Sequence, residues 1–306
     1  MATADADATL PLAIGDAPTE AAAPPPAVIR VSGPRLSPPL QIAAVALPVL
    51  LLSFALGWNL TQGGTGTLSA EGTAHSWSYE GVTGPTHWGE VDTHDALCKS
   101  GVQQSPVDIH PSRLLRLDWL PPLQTTYKPG PITLTHREHA LHVDVGTGNR
   151  MTFLGQDYLL EHMVFHTPAE HTMNGRIADM EIQLVHRSND ASRRTAILSV
   201  LGTEGAENPF LAKFWGQIPD KEGDVKTDVS ASPQEILPRG VLYYFYEGSI
   251  TTPPCTEGVS WVVLKDSVSV SRDQISRLKT IFHANARPIQ PLNERFLKEE
   301  IPSPSR

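Results

Sequence analysis

The chain has 306 residues, of which 40% are hydrophobic and 19% are charged, so it is long enough to bury a core of ordinary domain size. Its formal net charge of −9 and its lack of a long basic run argue against a nucleic-acid partner, because such binding depends on neutralising phosphates. The sequence has no glycine-rich phosphate-binding motif, so it predicts no nucleotide partner either.

Residues 1–40 form an arm rich in alanine, proline and small polar residues, with no amphipathic period. Such a segment lacks the apolar surface that offsets chain entropy, so we predict that it is disordered, or extended and bound within a larger assembly. A targeting segment such as a plastid or mitochondrial transit peptide is the alternative. Transit peptides are poor in acidic residues, and Asp5, Asp7, Asp16 and Glu20 argue against one.

Residues 41–58 carry no charge and are apolar nearly throughout. Their length is at the lower limit for crossing about 30 Å of hydrocarbon, and they predict a transmembrane helix that serves as a signal anchor. A cleaved signal peptide and a buried core helix are the alternatives. The apolar part of a cleaved signal is usually shorter and nearer the N-terminus.

Charge on either side of this apolar run predicts its orientation. Arg30 and Arg35 precede the run, whereas the first lysine or arginine after it is Lys99. By the positive-inside rule, the protein is a single-pass membrane protein whose large C-terminal part lies on the extracytoplasmic or lumenal side. Residues 59–74 are rich in glycine, threonine and serine and are predicted to be a flexible linker.

Residues 158–187 predict two β-strands joined by a polar turn region. Alternation on the first strand places four residues on one face: Leu160, His162, Val164 and His166. On the second strand, Glu181, Gln183 and Val185 share a face. Further short strands are predicted at Ala140–Val145 and at 195–201, and an amphipathic helix is predicted at 271–282.

Several motifs, taken together and in order, resemble those of the α-carbonic anhydrases. They are WSYEG at 77–81, GPTHW at 84–88, QSPVDI at 104–109, HTPAEH at 166–171, YYFYEGSITTPPCTE at 243–257, WVVLK at 261–265 and NARPIQPL at 285–292. The resemblance covers residues 75–297 and implies a mixed, β-dominated fold: a large, twisted, mostly antiparallel β-sheet with short peripheral helices. Residues 298–306 are then a C-terminal tail.

The two cysteines, Cys98 and Cys255, lie far apart and form no C-x-x-C pattern, so the residues alone permit two unrelated buried thiols. The resemblance implies a disulfide between them, because secreted and lumenal family members commonly join these two positions. A disulfide implies an oxidising compartment, which agrees with the predicted membrane orientation.

The three zinc-ligand positions of the family fall on Val164, His166 and Gln183. A catalytic zinc normally needs three protein ligands and an open position for water. Valine has no donor atom, and zinc prefers imidazole or thiolate to an amide oxygen. The resemblance therefore implies an acatalytic relative of the carbonic anhydrases, with no cofactor expected. His162 shares the strand face but lies about 13 Å from His166 between α-carbons, which is too far for easy shared ligation. We therefore expect His162 to be a hydrogen-bonded histidine, with a displaced metal site as the alternative.

Other positions match the family's catalytic apparatus. His139 falls at the proton-shuttle position, and Tyr79 at the tyrosine of the water network. Glu181 falls at the carboxylate that supports the third ligand. Thr251, next to Thr252, falls at the gatekeeping threonine, whose hydroxyl is oriented by Glu170. The apolar wall matches at Val185, Ile197, Ile250, Val259 and Trp261. Without a metal, these residues are expected to form a vestigial pocket that persists because its members pack together. Burial and like charge are expected to raise the pKa of Glu170 and Glu181, so that one is protonated or bonds to Gln183 or Thr251.

Three functions remain open at this point. The first is a membrane-anchored carbonic-anhydrase-related protein without hydratase activity, acting as a binding or structural subunit with a protein partner or in a multi-subunit membrane complex. The second is an active zinc carbonic anhydrase with altered metal ligation, for which zinc would be the cofactor. The third is a small-molecule or anion-binding module of the same shape.

Overall fold

The computed structural model describes residues 77–117 and 120–301. The arm at 1–40, the apolar run at 41–58 and the linker at 59–74 lie outside this part of the chain, so the predictions for them remain predictions. Within the described ranges, no helix has the length and apolar character needed to cross a membrane.

The described residues form strands and a few short helices. The strands are β1 Asp108–Ile109, β2 Leu114–Leu117, β3 Gln124–Thr126, β4 Gly130–Arg137, β5 Ala140–Val145, β6 Arg150–Phe153, β7 Gln156–His166, β8 Thr172–Met173, β9 Arg176–Ile177, β10 Met180–Ser188, β11 Thr195–Glu204, β12 Gly223–Ala231, β13 Tyr243–Ser249, β14 Glu257–Leu264, β15 Val268–Val270 and β16 Leu297–Glu300. The α-helices are α1 Trp88–Val91, α2 Leu97–Ser100, α3 Pro209–Ala212 and α4 Arg272–Phe282. Short 3-10 turns occur at Gly81–Thr83, Thr93–Asp95, Pro111–Arg113, Trp215–Gln217 and Pro233–Ile236.

One large sheet dominates the described chain. Its main path is β12-β4-β5-β7-β10-β11-β14-β13-β16-β2, and β3, β6 and β15 pair at its sides. Most neighbours are antiparallel, but β11 pairs in parallel with β14 and β15, and β16 pairs in parallel with β2. The predicted β-dominated fold with a mostly antiparallel sheet is confirmed.

The side-chain alternation predicted for the central strands is present. Met163 and Phe165 of β7 and Ile182 and Leu184 of β10 are fully buried in the main core. Every second residue of these strands is apolar, and these residues form the face that packs into the core. The opposite face of β7 and β10 therefore lines the cavity described below. The helix α4 begins after Ser271, which caps its N-terminus through a capping box with Gln274.

Two sequence predictions need correction. Leu160 does not share the face of His162, because β10 pairs Val185 with His162 and His186 with Leu160, which leaves Glu161 as an extra residue in β7. This bulge turns Leu160 towards the main core. Residues 298–300 are not a tail, since β16 pairs with both β13 and β2 inside the sheet.

The disulfide between Cys98 and Cys255 is present and links α2 to the segment after β13 across a sequence separation of 157 residues. Cross-linking so distant positions restricts the unfolded chain, and native disulfides contribute about 2–5 kcal/mol to stability. We expect the C98A/C255A variant to lose about 2–5 kcal/mol of unfolding free energy in oxidising buffer, measured by urea denaturation. With a reductant that opens the bond in the wild type, the two proteins should unfold at similar urea concentrations. Equal stability in oxidising buffer would contradict this.

Candidate functional site

A cavity of about 580 Å³ opens on the face of the sheet opposite the main core. We call it the central cavity. β7 contributes His162, Val164 and His166 to its lining, and β10 contributes Gln183 and Val185. The alternation of the two strands thus places the three family ligand positions on one wall.

Val164 and Gln183 face each other directly across β7 and β10. Val164 offers no donor atom. The side-chain amide of Gln183 is buried, and its Nε2 donates to Glu170 Oε2 at 2.7 Å and to Glu181 Oε1 at 3.1 Å. This amide therefore supplies two carboxylates with hydrogen bonds at a position where the family carries a metal-binding imidazole.

His166 is buried, and both nitrogens of its ring face acceptor oxygens. Its Nδ1 donates to the carbonyl oxygen of Asn285 at 2.7 Å, and its Nε2 lies 3.6 Å from Glu170 Oε2. Glu170 also accepts from the backbone N–H of Arg287 at 2.9 Å. The carboxylate oxygens of Glu170 are thus taken by Arg287 and Gln183, and not by Thr251 as the resemblance implied.

Glu181 is fully buried and accepts five hydrogen bonds. Its Oε2 accepts from the backbone N–H groups of Glu170 and His171 at 2.9 and 2.8 Å. Its Oε1 accepts from His171 Nδ1 and Ser199 Oγ, both at 2.8 Å, as well as from Gln183. Donors on every side are what a buried carboxylate needs to stay ionised.

The expectation of a raised pKa is wrong for Glu181. Burial alone would raise the pKa of this carboxyl, but the charge and hydrogen bonds of His171 outweigh it and hold the pKa below its ordinary value. The other half of the expectation, a hydrogen bond from Gln183, is present for both carboxylates. The prediction from the sequence took account of the neighbouring negative charge of Glu170. It did not take account of the hydrogen-bond donors that the HTPAEH turn provides.

His142 of β5 is a cavity residue that sequence reasoning missed. It pairs across the sheet with Val164, and its ring centroid lies 5.0 Å from that of His162. Burial lowers the pKa of His142 to about 3 and also lowers that of His162. Side-chain alternation along the predicted strand Ala140–Val145 could have identified His142 as a cavity residue. His142 lies on the same face as Ala140, which also lines the cavity.

His139 does not line the central cavity. Its side chain is exposed, its Nε2 lies 2.9 Å from the carbonyl oxygen of Trp77, and its ring packs 4.9 Å from that of Trp77. Tyr79 also packs edge-on against Trp77, and burial raises the pKa of its hydroxyl well above the ordinary value. These residues form an aromatic cluster near the N-terminal end of the described chain.

The predicted apolar wall is only partly on the cavity surface. Four of its five members line the cavity: Val185, Ile197, Ile250 and Val259. Trp261 is fully buried, and its Nε1 donates to the carbonyl oxygen of Ser249 at 2.9 Å. Thr251 and Thr252 also line the cavity.

The residues at the family ligand positions do not fit zinc. One imidazole remains, one position has no donor, and the amide nitrogen of the third is committed to Glu170 and Glu181. Within 77–117 and 120–301, no group of three or more histidine, cysteine, aspartate or glutamate side chains is arranged to hold a metal ion.

Comparisons with known proteins cover most of the described chain. Residues 83–301 match the family model described as eukaryotic-type carbonic anhydrase. The carbonic anhydrase of Pectobacterium carotovorum is 37% identical over 233 residues, which cover 75% of this chain and 92% of that protein.

Solved structures are similar to this chain as well. The α-carbonic anhydrase of Thermovibrio ammonificans, in complex with the inhibitor sulfanilamide, is similar with a TM-score of 0.71 and 35% identity, covering 74% of this chain and all of that one. Dioscorin complexed with ascorbate is similar with a TM-score of 0.70 and 32% identity, covering 74% of this chain and 99% of that one.

Proposed function

The chain belongs to the α-carbonic anhydrase family, and we propose that it acts in that family as a binding or structural subunit that does not hydrate carbon dioxide by the zinc mechanism. The observation that carries the proposal is the pair Val164 and Gln183. These residues oppose each other where two metal ligands are required, and Gln183 is engaged by two buried carboxylates.

The hydrogen-bond pattern supports a pocket that is stable without a metal. A divalent cation near Glu170 and Glu181 would balance their negative charge. In this chain the neutral amide of Gln183, the backbone N–H of Arg287 and the side chains of His171 and Ser199 donate to them instead. Because these donors satisfy the carboxylates, folding has no need of a cation at this point.

We further propose that the domain is anchored to a membrane through residues 41–58 and lies on the extracytoplasmic or lumenal side, in a complex with other proteins. The charge asymmetry around the apolar run supports this orientation. The Cys98–Cys255 disulfide supports it independently, because such bonds persist in oxidising compartments. The arm at residues 1–40 would then face the opposite side of the membrane.

The alternative is an active zinc carbonic anhydrase with altered ligation. Two observations favour it: the relatives carry the name carbonic anhydrase, and three imidazoles, those of His142, His162 and His166, line one cavity. In this case zinc would be bound by His166 together with histidines outside the usual set, and the family names would describe the activity of this chain as well.

Elemental analysis beside a stopped-flow carbon dioxide hydration assay separates the two functions. The full-length protein, purified in detergent without added metal, is expected to contain far less than one zinc per chain and to show no hydration above the buffer rate. An active relative such as the Pectobacterium enzyme, prepared in the same way, is the positive control. About one zinc per chain, with turnover that a chelator abolishes, would establish the alternative.

A further inference from the structure

Two histidines of the central cavity have no part in the proposed function. His142 and His162 lie on neighbouring strands, with their ring centroids 5.0 Å apart and their planes tilted by 44°. Both line the cavity. Neither ring has a hydrogen-bond partner among the described residues, so the expectation of a hydrogen-bonded His162 is wrong.

Their separation suits shared ligation of one ion. Nitrogen–metal bonds of about 2.0–2.1 Å put two ring centroids roughly 4.5–5.2 Å apart for bond angles between square-planar and tetrahedral. The backbone places them at this distance: His142 is paired with Val164, and His162 precedes Val164 by two residues on the same face. Diagonal neighbours on antiparallel strands are within reach of such rings.

Both imidazoles are also available as ligands. His142 is only 7% exposed, and its Nδ1 is buried with no hydrogen-bond partner. An unsatisfied buried nitrogen is costly, and a bound ion would relieve that cost. The charged groups near the pair are of both signs: the guanidinium of Arg137 acts on both rings, and the carboxylates of Asp144, Glu161 and Glu138 act on His162.

We propose that His142 and His162 together bind one divalent transition-metal ion of the type that prefers imidazole, with Cu²⁺ held most tightly. Among such ions, Cu²⁺ has the highest affinity for sites with nitrogen ligands. Water fills the remaining coordination positions, for which the cavity of about 580 Å³ has room. The site lies beside the family zinc position and shares no ligand with it, because His166 is held by Asn285 and faces Glu170. It is independent of the proposed function.

The probe is Cu²⁺ alone, titrated into the full-length protein in detergent and followed by calorimetry and electron paramagnetic resonance. The wild type is expected to bind one Cu²⁺ with hyperfine structure from two imidazole nitrogens. In H142N and in H162N the dissociation constant should rise by about tenfold or more, which corresponds to ~1.4 kcal/mol, and one nitrogen coupling should disappear. H139A, which removes an exposed histidine outside the cavity, is the matched control and should bind as the wild type does.

Unchanged affinity in the H142N/H162N double variant, or an equal loss in H139A, would overturn the proposal by assigning the ion to surface histidines. If a variant does not fold, the wild-type protein shows which histidines bind the ion, because Cu²⁺ broadens the NMR signals of the histidine rings near it. Broadening of His142 and His162 before the exposed histidines supports the site, and the reverse order refutes it. Hydration activity is measured separately on copper-free protein, so failure here leaves the proposed function untouched.

Discussion

Zinc is expected to bind in the central cavity of the V164H/Q183H variant, at about one ion per chain, with carbon dioxide hydration well above the buffer rate. Val164 and Gln183 are directly opposed on β7 and β10, and His166 lies two residues beyond Val164 on the same face. Histidine at both positions would therefore give three imidazoles on one wall, which is the ligand number of a catalytic zinc site.

Partners for the new ligands are already in place. Glu181 accepts a hydrogen bond from Gln183, so its carboxylate could accept from a histidine ring at the same position. Such outer partners change metal affinity or activity by about 10–100-fold, so we expect the variant to fall within roughly that factor of an active relative. Metal analysis and stopped-flow hydration assays provide the measurement.

The single variants V164H and Q183H are the matched controls. Each leaves only two imidazoles at the family positions, so each should bind zinc weakly and remain inactive. Adding H166A to the double variant should remove the ion, whereas adding H142N should not. A folded double variant that binds no zinc would show that the cavity departs from a zinc site in more than these two side chains.

Much of the architecture followed from local sequence patterns. Period-two alternation predicted which residues of β7 and β10 enter the core, because burial on one face of a strand constrains every second residue. The amphipathic period predicted the helix at 271–282, and α4 begins directly after its capping residue Ser271. These features depend only on neighbours in sequence.

The errors came from contacts between distant residues. A bulge depends on the register of two strands, so nothing in residues 158–166 alone could reveal that Leu160 turns towards the core. His142 became a cavity residue because β5 lies beside β7, and a motif comparison had drawn attention to His139 instead. The electrostatics of Glu181 likewise depend on donors from the turn after β7 and from β11.

That network makes Glu181 a residue whose loss should strongly destabilise the fold. In E181A the donors of His171, Ser199 and Gln183 and two backbone N–H groups would lose their acceptor in a fully buried place. Breaking a buried, charge-assisted network by removing one partner costs about 3–5 kcal/mol. We expect a loss of that size in the free energy of unfolding by urea at pH 7. The matched control is E161A on the neighbouring strand, where a half-buried carboxylate pairs with Arg187 and Arg193 and should contribute only about 0–1 kcal/mol.

Lowering the pH should remove the stabilisation that the Glu181 carboxylate gives to the folded protein. Because the pKa of Glu181 is lower in the folded protein than its ordinary value of 4.5, its carboxylate stabilises the fold fully above that pH and progressively less as the pH falls towards the folded-state pKa. E181Q keeps the shape of the side chain but cannot be ionised, so it should be less stable than the wild type at pH 7. The stability difference between the two proteins should narrow below pH 4.5, as the wild-type carboxylate takes up its proton. A difference that stays constant from pH 7 to pH 3 would show that the loss in E181Q comes from packing and hydrogen-bond geometry, and that the charge of Glu181 contributes nothing to the fold.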